Sequence, residues 1–396
     1  MSNSFSELDF SEMHNKIQEY VDNDFLSGAS SIVLKDNKIV DSKCWGFMDK
    51  EAGKETKADT IFRIYSNTKK IVTVAALCLL EDGCFDLDEP IAKYLPELGN
   101  LQVLKQGSKD LSQTEPLVSQ PSIRQLMSHS AGFSYGIFAE SLVDSLYVEK
   151  HVLDTEGSLK TLVEKLADIP LAYQPGTRWQ YSVATDILAR LVEIWSGMSI
   201  DEFLKLRVLN PLGMIDTDFF VPLEKQDRFA ANYVPVDMMD PMKMGLNIAP
   251  DTLVGGYLSP KTFMSGGGGL VSTITDYTRF IQMLVGEGSV DDVRILKAET
   301  VLMMHENQLA KGIKVVLPLG SMPETVFGLG VAIKTIPAEG EPELAIGEFH
   351  WGGLAGTHTW ISPDSGIAAL IFTQRLPGFW HPFSHDYKRL VYKAFC

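Results

Sequence analysis

A chain of 396 residues, 45% of them hydrophobic, can bury a large core as one two-lobed unit or two tightly packed domains, which excludes disorder as the default state. Its 35 lysines and arginines against 51 acids give a formal charge of −16 without a basic run, which argues against a nucleic-acid partner and for a soluble, self-repelling surface. Cys44, Cys78, Cys84 and Cys396 sit in no C-x-x-C or Cys/His metal spacing, so free thiols are expected, with no metal and no cofactor.

The start, Met1 to Asp9, carries no basic or apolar leader region, and no later stretch is apolar enough to span a bilayer. A cytoplasmic protein without a membrane partner is expected. Met13, Ile17, Tyr20 and Val21 fall at helical spacing and predict an opening amphipathic helix that ends before Gly28. Ser30 to Lys35 and Lys38 to Gly46 flank Asp36-Asn37, good turn chemistry for a β-hairpin, and a third short strand is predicted over Ile61 to Ile64. From roughly residue 70 to 250 the periodicity is mostly helical, with loops marked by Pro121, Pro170, Pro175-Gly176 and Pro211. Phe327 to Lys334, Thr357 to Ser362 and Ile367 to Gln374 then read as strands, and Phe383, Tyr387, Leu390, Val391 and Ala394 as the apolar face of a closing helix.

Sheet-forming segments therefore bracket a helical insert. The expected fold class is α/β (α+β): an antiparallel sheet flanked by N- and C-terminal helices, built from residues 1–70 and 251–396, with a helical domain over 71–250 and a cleft between them.

Ser66-Asn67-Thr68-Lys69 is the only S-x-x-K in the chain, and it sits where a strand ends and the helical run Ile71 to Leu80 begins. Residues three apart on a helix share a face, so the Lys69 amine can approach the Ser66 hydroxyl. A serine is a weak nucleophile until a base takes its proton, and a desolvated lysine can serve; a helix N-terminus would favour an oxyanion there. Alone the motif is weak, because a serine cap followed by a surface lysine is common. A second element follows the turn Pro175 to Gln180: Tyr181-Ser182, leading into the helical run Val183 to Trp195. A phenol beside a lysine can pass protons between nucleophile and leaving group, although Tyr181 also fits a core aromatic with a bonded hydroxyl. The third element is His350-Trp351-Gly352-Gly353-Leu354-Ala355-Gly356. Its glycines would let an edge strand approach a substrate, with the Leu354 N–H as oxyanion donor beside that of Ser66; the plainer reading is a glycine-rich turn with an anchoring tryptophan.

These three elements, in this order and with sheet segments at both ends, resemble the serine β-lactamase and penicillin-binding-protein superfamily, whose S-x-x-K is followed by Y-x-N and K-T-G. The resemblance spans nearly the whole chain and includes Phe62 to Tyr65, Asp86 to Pro90, Leu126 to Gly132 and Gly266 to Asp276. Tyr181-Ser182-Val183 lacks the asparagine, and Trp351-Gly352-Gly353 stands where K-T-G would be, which removes recognition of a drug's amide and carboxylate. The W-G-G form is similar to the family VIII carboxylesterases. That resemblance implies a small-molecule ester as substrate, Ser66, Lys69 and Tyr181 as catalytic residues, Ser66 and Leu354 as oxyanion donors, and His350, Trp351, Gly352 and Gly353 as substrate contacts. The alternatives are amide chemistry on the same scaffold (a β-lactamase, a D-amino-acid peptidase or another amidase), acyl transfer to an alcohol or amine, and a non-catalytic binding protein.

Three features are expected to stay outside the chemistry or at its margin. Gly132-Phe133-Ser134-Tyr135-Gly136 matches G-x-S-x-G but lacks the strand that a nucleophile elbow requires. Gly266 to Gly269 has no Walker lysine and reads as a flexible turn before a helix capped by Thr273 and Asp276. Met238, Met239, Met242 and Met244 are expected either to pack or to line an adaptable acyl pocket.

Overall fold

The computed structural model describes residues 8–138, 141–250, 255–317, 320–322 and 324–396. Helix α1 (Ser11–Asp22) buries Met13, Ile17 and Tyr20, the face predicted from their spacing. The hairpin of β1 (Gly28–Lys35) and β2 (Lys38–Asp49) turns through Asp36 and Asn37, both left-handed at φ 49° and 63°, the geometry a two-residue turn needs and these residue types tolerate. After β3 (Lys54–Glu55), strand β4 (Ile61–Arg63) leaves the main sheet and pairs with β5 (Val271–Thr273). The main antiparallel sheet is completed by β6 (Thr325–Phe327), β7 (Ala332–Lys334), β8 (Phe349–Gly353), β9 (Thr357–Ser362) and β10 (Ile367–Phe372), in the spatial order β6-β7-β8-β9-β10-β1-β2-β3.

Alternation sets the two faces of this sheet. Val33, Ile367, Ala369 and Ile371 join the core formed with α1 and the closing helix, whereas Ile32, Leu34, Ala368, Leu370 and Phe372 face the larger core. That larger core contains α2 (Thr68–Glu81), α3 (Ala184–Ser196) and α4 (Ile274–Val285), while α5 (Phe383–Lys393) closes the chain against α1. Every residue of α2 from Thr68 to Leu79 is buried, including Lys69 and Lys70, so the helix is enclosed on all sides.

The segment between α2 and β5 adds the short helices Ile123–Met127, Leu142–Glu149, Leu159–Leu166 and Ile200–Leu204, and small strand pairs such as Gln102–Leu104 with Thr114–Pro116. The single strand expected over Phe327 to Lys334 is instead the β6–β7 hairpin, reversed at Gly330 (φ 73°). The glycine-rich run expected between strands forms β8 itself and its following turn. No helix among the described residues is long and apolar enough to cross a membrane.

Candidate active site

β4 delivers the chain into a single tight turn, Tyr65–Asn67, from which α2 starts at Thr68. Tyr65 holds a left-handed φ of 42°, an uncommon conformation for an aromatic residue, and the surroundings fix the turn. Asn67 Nδ2 donates to the carbonyl of Thr357 (2.8 Å) and to its hydroxyl (3.0 Å), Tyr277 donates to the Asn67 carbonyl (2.9 Å), and the Leu270 N–H donates to Thr68 (3.1 Å). Ser66 is left half-buried at the wall of a cavity.

Two side chains meet at its Oγ. Lys69, one turn along α2, donates to Ser66 Oγ at 3.2 Å and to the Gly267 carbonyl at 2.5 Å. The Tyr181 hydroxyl donates to the same Oγ at 2.6 Å. Lys69 Nζ also lies 4.5 Å from the centre of the Tyr181 ring, so serine, amine and phenol are in mutual contact. Tyr181 sits just before α3 and is clamped between Tyr135, stacked at 5.3 Å between ring centres, and Trp351, whose Nε1 donates to the phenol oxygen at 3.3 Å.

β8 supplies the opposite wall. An added Cβ at Gly353 would meet the Thr357 hydroxyl at 2.2 Å and the Ile64 carbonyl at 2.3 Å, so only glycine lets this strand lie against the nucleophile turn. Within the sheet β8 pairs with β7 only at Phe349 and His350, which leaves the edge of Trp351, Gly352 and Gly353 open; Leu354 follows directly. A cavity of about 390 Å³ runs from Ser66 and Tyr181 past this edge to Trp360 and the α5 residues Ser384, His385 and Lys388. Phe138, Leu317 and Met322 form its apolar side. His350, expected as a substrate contact, lines it half-buried, and burial holds its imidazole well below the ordinary range, in the neutral form.

The charged groups around the serine are deeply buried. Asp186 accepts from Ser265 (2.6 Å) and from the Gly267 N–H (3.0 Å), fixing the residue whose carbonyl receives Lys69; burial raises its carboxyl, and the nearby Lys69 opposes that. Lys70 donates to the Thr359 hydroxyl with no carboxylate in ion-pair range among the described residues, and desolvation pulls it down to about 7. His129 is bonded to Ser182 at 3.0 Å and is held well below its usual range by burial.

The other sequence features resolve differently. Ser134 is 1% exposed, its hydroxyl donates to Asp144 at 2.5 Å and accepts from Gln180 at 2.7 Å, and its N–H donates to the Tyr147 hydroxyl at 3.1 Å, so it is a structural knot. Gly266 to Gly269 is not a free turn: a Cβ at Gly267 would lie 2.6 Å from Asp186 Oδ2, and the run packs against α3. Thr273 caps α4 through the Asp276 N–H (3.0 Å), but the Asp276 carboxylate turns to Asp216 and Thr217 instead of completing a box. Met238, Met239, Met242 and Met244 are exposed and absent from the cavity wall, so they neither pack in the core nor line an acyl pocket. Tyr135, Asp186 and the Gly267 carbonyl escaped sequence reasoning. Tyr135 and Gly267 lie inside the runs Gly132 to Gly136 and Gly266 to Gly269, and Asp186 is the third residue of α3, but no residue type there marked a part in the site.

The family description "Beta-lactamase" matches residues 13–392. Protein Rv1367c of Mycobacterium tuberculosis is 33% identical over 91% of this chain and 89% of its own length. Esterase EstB of Burkholderia gladioli is 30% identical over 88% and 86% respectively. Among solved structures, EstCE1, described as a hydrolase with promiscuous acyltransferase activity, superposes with a TM-score of 0.81 at 22% identity, covering 98% of this chain and all of its own.

Proposed function

The chain belongs to the beta-lactamase family, and on that premise we propose that it is a serine carboxylesterase of the family VIII type, working in the cytoplasm on small-molecule acyl esters. The observation that carries this reading is Ser66 Oγ held at once by Lys69 (3.2 Å) and Tyr181 (2.6 Å) on the wall of an accessible cavity. The esterase relative supports ester over amide chemistry, as does the replacement of K-T-G by Trp351-Gly352-Gly353. The cleft lies between the sheet part, residues 1–70 and 251–396, and the helical part, 71–250.

Ser66 Oγ attacks the ester carbonyl while its proton passes to the Lys69–Tyr181 pair. The N–H groups of Ser66 and Leu354 receive the developing oxyanion. Collapse breaks the bond to the alcohol oxygen, and Tyr181 returns the proton to it. Water then attacks the acyl-serine, gives its proton to the same pair, and the acid leaves as Ser66 is restored. Trp351 holds the phenol oxygen in line, and its flat ring with the two glycines shapes the wall without a carboxylate-binding cation.

Turnover of short-chain nitrophenyl esters by wild type and Ser66→Ala, with intact-mass detection of the acyl adduct, tests the reading. Loss of the adduct and a rate drop of about 10³-fold or more are expected. Equal turnover in both proteins would overturn the assignment of Ser66.

A further inference from the structure

Lys70 follows Lys69 in α2 and takes no part in the proton transfers described above. Keeping it is costly, since it is 2% exposed, has no carboxylate in ion-pair range among the described residues, and is pulled down to about 7 by desolvation. A buried charge that weakens the fold beside a reaction centre marks a place where stability is given up for function. We propose that Lys70 is a positioning residue, whose ammonium fixes the hydroxyl of Thr359 and thereby the spacing of the two oxyanion donors, the N–H groups of Ser66 and Leu354. This rests on the esterase reading above and adds to it a residue that acts through others.

The Thr359 hydroxyl sits at a junction of three elements. β9 sets Thr359 opposite Trp351 of β8, and its oxygen accepts from Lys70 of α2. The same oxygen lies 3.4 Å from the Trp351 carbonyl and 3.4 Å from Asn67 Oδ1. An ammonium donates and cannot accept, so the Thr359 proton has no place at the amine and is left for the Trp351 carbonyl or Asn67 Oδ1. Lys70 thus gives the hydroxyl its direction.

From this junction, bonds run toward each oxyanion donor. Asn67, next to Ser66, donates through Nδ2 to the carbonyl (2.8 Å) and hydroxyl (3.0 Å) of Thr357, and the Thr357 hydroxyl donates to the Ile64 carbonyl at 3.2 Å. These bonds tie the turn that presents the Ser66 N–H to β9. Thr357 lies opposite Gly353, the residue before Leu354, and Thr359 bonds the carbonyl of Trp351 in that same strand. The seam therefore sets how far the nucleophile turn stands from the end of β8. Tyr277 braces it from α4, with its ring centre 5.4 Å from Lys70 Nζ and its hydroxyl on the Asn67 carbonyl at 2.9 Å. An oxyanion hole works where both donors stand at hydrogen-bond distance from the oxygen of the transition state, so a loosened seam slows the reaction without weakening ground-state binding.

Lys70→Met, Thr359→Val and the double variant, compared with wild type on nitrophenyl acetate, test this. Methionine and valine keep the bulk and remove the ammonium and the hydroxyl. Rates are referred to active sites titrated with a fluorophosphonate, so that misfolded protein does not enter. Each single variant is expected to lower kcat and kcat/KM together by about tenfold, the worth of one hydrogen bond to a charged group, with KM unchanged within about twofold. The double variant should be within about twofold of the slower single, because both substitutions break the same junction, whereas independent roles would multiply to about 100-fold. Either single variant at wild-type kcat, a loss confined to KM, or losses that multiply in the double variant overturns the proposal and leaves the esterase reading standing. A wild type inert toward the ester overturns both.

Discussion

Replacing Lys70 with methionine isolates the cost of a buried charge. Lys70 is 2% exposed, its ammonium reaches, among the described residues, the Thr359 hydroxyl and the Tyr277 ring face at 5.4 Å, and desolvation lowers it from 10.5 to about 7. Each pH unit of displacement corresponds to about 1.4 kcal/mol, so keeping this lysine protonated inside the fold costs up to about 5 kcal/mol below pH 7. Methionine keeps most of the stem and gives up one hydrogen bond, worth about 1 kcal/mol. At about pH 6.5, Lys70→Met should therefore be more stable than wild type, by up to about 4 kcal/mol. The slope has the same sign as for a carboxylate whose folded pKa is depressed, although here the protonated form is the costly one. Between about 7 and 10.5 the unfolded chain binds the extra proton and the folded chain does not, so wild-type stability rises with pH across that window and the gap to the variant narrows. Urea unfolding of both proteins at about pH 6.5 and 9.5 reads this directly. A variant less stable at the lower pH, or a gap that does not narrow at the higher, would refute the reasoning.

Gly353→Ala places a methyl within 2.3 Å of the Ile64 carbonyl and must push β8 away from the nucleophile turn; kcat should fall about 10²-fold, measured on a nitrophenyl ester, with a loss of about 1–3 kcal/mol of stability by urea titration. Trp351→Phe keeps the aromatic wall but removes the 3.3 Å donor to the Tyr181 oxygen, so kcat/KM should drop about tenfold and the alkaline limb of the pH–rate profile should move, whereas a purely packing role would leave that limb in place. Ser134→Ala strands the buried Asp144 and Gln180 groups it now joins and should cost about 1–3 kcal/mol of stability by urea titration, with turnover retained.

Legibility in the sequence followed the reach of local rules. α1, the β1–β2 hairpin and α5 declared themselves because their apolar spacing and turn residues act over a few positions, and the Ser66–Lys69 pair because one helical turn fixes it. Tyr181 needed a long-range meeting 115 residues away, and only its place after the Pro175-Gly176 turn pointed to it. The β6–β7 reversal was hidden because Phe327 to Ile333 carries no polar side chain and the Gly330 turn breaks no pattern. β8 was masked by its glycines, which weaken strand propensity for the same reason they are required: a side chain at Gly353 would collide with Ile64 and Thr357. The Asp186 carboxylate and the Lys69 ammonium are joined through the N–H and carbonyl of Gly267, backbone groups that carry no residue-type signal.

The enclosure of α2 has a consequence for how the protein fails. A helix buried from Thr68 to Leu79 has no solvent-facing side from which to fray, so its amides exchange with deuterium only when the larger core opens as a whole. Ser66 sits in the turn that leads into this helix and Lys69 in its first turn, so both are fixed by the larger core. Heating or denaturant should thus abolish the serine chemistry only at global unfolding, so that loss of turnover and loss of helical signal fall on one denaturant curve.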